Sequence, residues 1–149
     1  MTEVPDPDHL MRYVPRSRQL RDPETDAFRG VLGSAFNIRD EDRGGLSVTW
    51  IEHYGPKSED TIRRAGTCYR DSLPSRKLNR SACFSIGNAG AIREAGATRG
   101  KRLRLIPAPD GPNTGHVEIH RFSDQDKELL DALAMDVFIE HVPVAQLGI

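Results

Sequence analysis

The run Leu46-Ser-Val-Thr-Trp-Ile-Glu-His53 is β-branched, aromatic and alternating, and it lies between Gly44-Gly45 and Gly55-Pro56. A run of this kind is half-buried as a strand, not as a helix. Leu46, Val48 and Trp50 then share one face, and Ser47, Thr49 and Ile51 share the other. Three more strands fit the same logic. Ala82-Cys-Phe-Ser-Ile86 is short and apolar, and Lys101–Ile106 and His116–Phe122 alternate. The rigid loop Pro107–Gly115 joins the last two as a hairpin.

Helices fall between these strands. Ser58 caps a predicted helix over 59–69 with Ile62, Ala65 and Tyr69 inward, and Asn88 caps another over 89–95 that Gly96 stops. Ser123-x-x-Asp126 resembles a capping box ahead of a helix over 124–140. That last helix carries Leu129, Leu130, Leu133, Ala134, Val137 and Phe138 on one face and ends before Pro143. The expected fold is therefore α+β. It is a mainly antiparallel sheet of about four strands packed by two or three helices, the C-terminal one contributing most.

Residues 1–11 read as a flexible N-terminal arm, because Pro5 and Pro7 interrupt regular structure and the aspartates keep the segment solvated. Residues 12–149 form the expected domain. Tyr13-Val14 is an extended entry that Pro15 confines to an edge or a strand start. From Asp22-Pro23 onward, Ala27, Phe28, Val31, Leu32, Ala35 and Phe36 have helical spacing. Gly30 and Gly33 weaken it, which leaves a loop packing Phe28 and Phe36 as the other reading.

Composition narrows the function classes. The chain has 21 Lys+Arg and 22 Asp+Glu, a net charge of -1, so no global field draws it to nucleic acid or to an anionic membrane. Its mean hydropathy of -0.55 places part of the chain outside a core. No apolar run is long enough to span a bilayer, and the acidic, proline-rich start is not a secretory leader. Cys68 and Cys83 belong to no CxxC or CxxH pair, so a zinc finger or ribbon is excluded, and reduced thiols in a cytoplasmic protein are expected.

The hairpin carries the best constellation. His116, Glu118 and His120 alternate onto one strand face, and in one register Arg102 and Arg104 join them. Two imidazoles beside a carboxylate suit general acid–base work or a first-row metal, and two arginines suit a phosphate or carboxylate. The plain reading is a solvated face with a cross-strand Arg–Glu pair. Asp42, with Asp40 and Glu41, is a carboxylate cluster able to bind a hard cation or to serve as an ordinary turn. Trp50 is a core residue or a stacking platform.

Cys68 lies near Arg63, Arg64 and Arg70, which favour a thiolate, whereas Cys83 reads as an inert core thiol; a Cys–His site with His116 is a further candidate. Arg93, Arg99, Lys101, Arg102 and Arg104, with Arg76, Lys77 and Arg80, form a basic stretch without a nucleic-acid-binding signature.

Arg39, Asp42, Leu46-Ser-Val-x-Trp50 and the later His116-x-Glu118-Ile119 resemble small uncharacterised bacterial proteins. The resemblance carries no activity and no catalytic residue. The reading that follows is a non-catalytic binding or accessory protein acting with a partner encoded elsewhere, with no cofactor and no metal. The alternatives are a small hydrolytic or metal-assisted enzyme using His116, Glu118 and His120, and a nucleic-acid binder through residues 93–104. Oligomeric state stays open.

Overall fold

The computed structural model describes residues 2–38 and 45–149. Its strands are β1 (His9–Val14), β2 (Gln19–Arg21), β3 (Phe28–Val31), β4 (Leu46–Trp50), β5 (Cys83–Asn88), β6 (Arg104–Pro107), β7 (His116–His120) and β8 (Glu140–Pro143). Its helices are α1 (Glu59–Ser72), α2 (Ala89–Thr98), α3 (Lys127–Ala132) and the single turn α4 (Val144–Leu147). The fold is α+β. Six of the strands form one antiparallel sheet in the order β6-β7-β4-β1-β5-β8, and β2–β3 is a separate hairpin.

Helices cover both faces of the sheet. Because side chains alternate along a strand, Leu10 and Met11 of β1 enter different cores. On one side Leu10, Leu46, Val48, Leu105, Val117 and Ile119 pack with Ile92 of α2, Leu129, Leu130 and Leu133 of the C-terminal helix, and Phe36. On the other side Met11, Phe84, Ile86 and Val142 pack with Ile62 and Ala65 of α1 and with Val144 and Leu147 of α4. This second core takes no residue from β6 or β7. That end of the face is left with half-buried Arg104, Ile106, His116, Glu118 and His120.

The local signals for α1 and α2 act as their chemistry requires. Ser58 Oγ accepts the Thr61 amide at 3.1 Å, and Asn88 Oδ1 accepts the Ala91 amide at 3.0 Å. Each satisfies an amide that the first helical turn leaves unpaired. At residue 123 only half of the expected box forms: Asp126 Oδ2 accepts the Ser123 amide at 2.8 Å, but the helix begins at Lys127.

Several expectations need correction. The sheet has six strands among the described residues, not about four. The longest helix is α1, not the C-terminal one. The predicted helix over 124–140 ends as a π turn, Leu133–Val137, closed by the Phe138 amide on Leu133 O at 2.8 Å. The chain then turns back as β8, with Pro143 opposite Cys83 on the sheet edge, where a missing amide is tolerated.

A further correction concerns the arm expected over residues 1–11. Residues 9–11 belong to β1, an inner strand, and Val4 is fully buried. The Val4 amide donates to Leu105 O, and Glu3 Oε1 accepts the Leu105 amide, so this segment lines the outer edge of β6. Pro15 follows β1 instead of confining it to an edge. The helical option over 22–36 is replaced by the β2–β3 hairpin and a 3₁₀ turn at Gly33–Phe36, which buries Phe36 and leaves Phe28 exposed.

Candidate functional site

The hairpin register is the expected one over the paired residues, but Arg102 precedes β6 and has no partner on β7. Leu105 pairs with Ile119 and Arg104 with His120, so the apolar and polar sets fall on opposite faces. Glu118 and His120 are joined, with Glu118 Oε1 at 2.9 Å from His120 Nε2. His116 stands apart from them: its Nδ1 lies 2.6 Å from Ala108 O. A ring nitrogen bonded to a carbonyl is the N–H donor. The three residues thus form one carboxylate–imidazole pair and one separately anchored imidazole. Among the described residues, no group of three or more His, Cys, Asp or Glu is placed to hold a metal ion. Asp42, with Asp40 and Glu41, lies outside the described residues.

The Glu118–His120 pair is half-exposed, and ion pairs in that setting contribute little. Glu118→Gln and His120→Asn should therefore each change the unfolding free energy by no more than about 0.5 kcal/mol in a urea titration. A loss above about 2 kcal/mol would instead identify a buried polar network.

Trp50 is half-buried against the first core and donates Nε1–H to Asp8 Oδ2 at 2.9 Å. The structure does not bring it together with the hairpin arginines in a common cavity.

The basic residues do converge. Arg93 of α2, Lys101, Arg102, Arg104 and Arg121 line a recess of about 670 Å³ beside β6. Glu3 is the carboxylate among its lining residues. Its Oε2 accepts Arg104 Nε–H at 2.7 Å, and its Oε1 lies 3.6 Å from Arg93. Burial works to raise the Glu3 carboxyl, but the Leu105 amide and Arg104 outweigh it and hold the group below the usual carboxylate range. Lys101 pairs with Asp126 at 3.1 Å. Arg80 is elsewhere, beside Cys83.

A third grouping has no counterpart in the sequence reading. The β5–β8 register sets Ser85 opposite His141, and Ser85 Oγ lies 2.8 Å from His141 Nδ1. Cys83 Sγ is 3.8 Å from the same hydroxyl. Cys83 and His141 line a recess of about 330 Å³ with Arg21, Phe28 and Arg80, and the Phe28 ring stands edge-on to His141 at 5.0 Å. Burial lowers the His141 pKa against the pull of Glu140, so its neutral ring can accept from Ser85. Burial also raises the Cys83 thiol, which keeps it protonated, as expected for an inert core cysteine. The Cys–His neighbour of Cys83 is thus His141 and not His116, which lies on β7, with β4 and β1 between it and β5. The trio can pass a proton between ring and hydroxyl, but Ser85 is fully buried and meets no ligand directly.

Large apolar side chains are exposed around a groove of about 580 Å³. Leu20 and Phe28 of the β2–β3 hairpin face it from one side, and Met135 and Ile139 from the other. The strip is not legible in the sequence, where Met135 and Ile139 fall within the helix predicted over 124–140. Comparison with protein-family models, with curated proteins and with solved structures finds no match. Among the described residues, no helix is long and apolar enough to cross a membrane.

Proposed function

We propose that this is a non-catalytic binding protein of the bacterial cytoplasm that acts by accepting an extended segment of a protein partner. The observation that carries the reading is the apolar strip. Met135 is 76% exposed, Ile139 65% and Leu20 50%, and all three meet at one groove. Isolated exposed apolar residues are ordinary, but several around one groove mark a contact surface.

The neighbourhood of the strip indicates the kind of partner. Ile139 immediately precedes β8, and among the described residues β8 pairs with β5 on one side and with no strand on the other. A segment added to that edge would gain main-chain hydrogen bonds, and every second side chain would fall on the groove. Alternating apolar residues in an extended segment are the matching chemistry. Cys68 and Cys83 are both free thiols, which suits a reducing compartment.

Selection from a displayed random-peptide library tests the reading. Enriched sequences should alternate apolar and polar residues. Their affinity should fall at least about tenfold, roughly 1.4 kcal/mol, for Met135→Asp/Ile139→Asp. Both side chains are exposed, so the variant should melt like the parent. No enrichment, or enrichment indifferent to the double substitution, would refute it. Sedimentation showing a dimer that this variant dissolves would assign the strip to a second copy and equally overturn the reading.

A further inference from the structure

The geometry points to a second, independent site: we infer that the recess beside β6 binds a small oligophosphate anion. The inference does not depend on the apolar strip, which is formed by different residues.

Charge balance is the first ground. Four guanidinium groups and one ammonium border the cavity with one carboxylate, Glu3, among them. Glu3 is already engaged by Arg104, by the Leu105 amide and at longer range by Arg93, and Asp126 engages Lys101. Arg93 is further tied to Asp6 and to Val4 O. These contacts hold Arg93 and Arg104 in place at the wall of the recess. Arg102 and Arg121 make no ion pair or side-chain hydrogen bond among the described residues. They are the donors left over for a ligand.

Backbone geometry is the second ground. Arg121 has φ of 80°, in the left-handed region that a long side chain rarely occupies. A turn after β7 would normally place glycine or asparagine there. Strained positions of this kind concentrate where a side chain must be presented to a site. Here the strained residue is one of the two unpaired arginines of the recess.

Ligand class follows from the donors. Guanidinium forks match phosphate oxygens in pairs, and several of them need an anion carrying more than one charge. A cavity of about 670 Å³ is roomy enough for two linked phosphates. Among the described residues the lining supplies no aromatic ring on which a base could stack, which separates this recess from a single-strand nucleic-acid groove.

The test is calorimetric titration of the full chain with inorganic pyrophosphate at low and at moderate salt. Saturable binding is expected, weakened by salt because it rests on charge. Arg102→Ala combined with Arg121→Gly should weaken it by about a hundredfold, since each charge-assisted contact accounts for roughly tenfold. Glycine relieves the left-handed backbone, so this variant should melt no lower than the parent. Arg99→Ala, outside the recess, is the matched loss of charge and should leave binding within about twofold. The inference fails if millimolar pyrophosphate gives no heat, or if Arg99→Ala weakens binding as much as the double variant. It also fails if a phosphorylated oligonucleotide binds far more tightly than pyrophosphate, which would make the recess part of a nucleic-acid surface.

Discussion

Phe138→Ala should destabilise the protein by about 3–5 kcal/mol. Phe138 is fully buried, and its ring centroid lies 4.7 Å from that of Phe36. It also rests on Gly87 of β5, where an added Cβ would come 3.0 Å from the ring. Removing the ring leaves a cavity at the junction of the π turn, the sheet and the 3₁₀ turn, three elements that cannot all move in to fill it. A domain has roughly 5–15 kcal/mol in total, so the loss is a large share of the whole. For a chain of this length it corresponds to a fall in Tm of about 10 °C or more.

The same contact predicts a coupling. Gly87→Ala alone forces a Cβ against the ring, whereas in the Phe138→Ala background the methyl group enters the vacated space. The second substitution should therefore cost less after the first, a non-additivity of about 1 kcal/mol or more in a double-mutant cycle. Denaturant midpoints with unchanged slope give both quantities. A Phe138→Ala loss below about 1 kcal/mol would mean that the ring is not the keystone of this junction.

Where the sequence could be read, its signals were local. Ser58 and Asn88 announce helix starts because a cap acts within three residues. Alternation in Leu46–Trp50 and His116–His120 gives the strand faces, and the register of Leu105 with Ile119 follows from burying one face. The elements that escaped depend on partners far away in the chain. β1 contains His9 and Arg12 and follows two prolines, so nothing nearby marks it as the strand between β4 and β5.

β8 was hidden for a different reason. The apolar face Leu129–Phe138 has no break before residue 140, and Pro143 reads as the helix stop. Only packing shows that the helix closes with a wide turn and that the chain reverses.

The candidate sites divide in the same way. Arg93, Lys101, Arg102 and Arg104 lie close enough in sequence to be seen as one basic group. Glu3 and Arg121, which complete the recess, come from beside β6 and from the end of β7. His141 meets Ser85 across 56 residues through strand pairing alone. The hairpin face was legible residue by residue. That His116 separates from the Glu118–His120 pair was not, because the choice depends on the Ala108 carbonyl within the connecting loop.

Deleting residues 1–7 should lower Tm by about 10 °C, although the segment's composition is that of a dispensable arm. The loss has three sources. Val4 is 1% exposed, and burying a side chain of that size contributes about 1.5–3 kcal/mol. Glu3 satisfies the Leu105 amide and pairs with Arg104, and charge-assisted bonds of this type contribute about 1.5–3 kcal/mol before solvent screening reduces them. Asp6 O accepts the Gly90 amide and the Asn88 side chain at the start of α2, so the deletion also loosens that helix end.

Against these stands the ordering entropy that the deleted segment no longer costs, which offsets part of that loss. A net loss near 3 kcal/mol is the expected balance, and at this chain length it gives the stated fall in Tm. Removing the segment also bares the outer edge of β6. The truncated protein should then aggregate at concentrations where the intact chain does not, because an unprotected edge invites strand pairing. Glu3→Gln in the full-length chain separates the contributions: it removes the charge but keeps Val4 in place, and should cost only about 1 kcal/mol. Scanning calorimetry with light scattering on both proteins decides the matter. A truncated chain that melts within about 2 °C of the parent would show that Val4 and Glu3 contribute nothing to the fold.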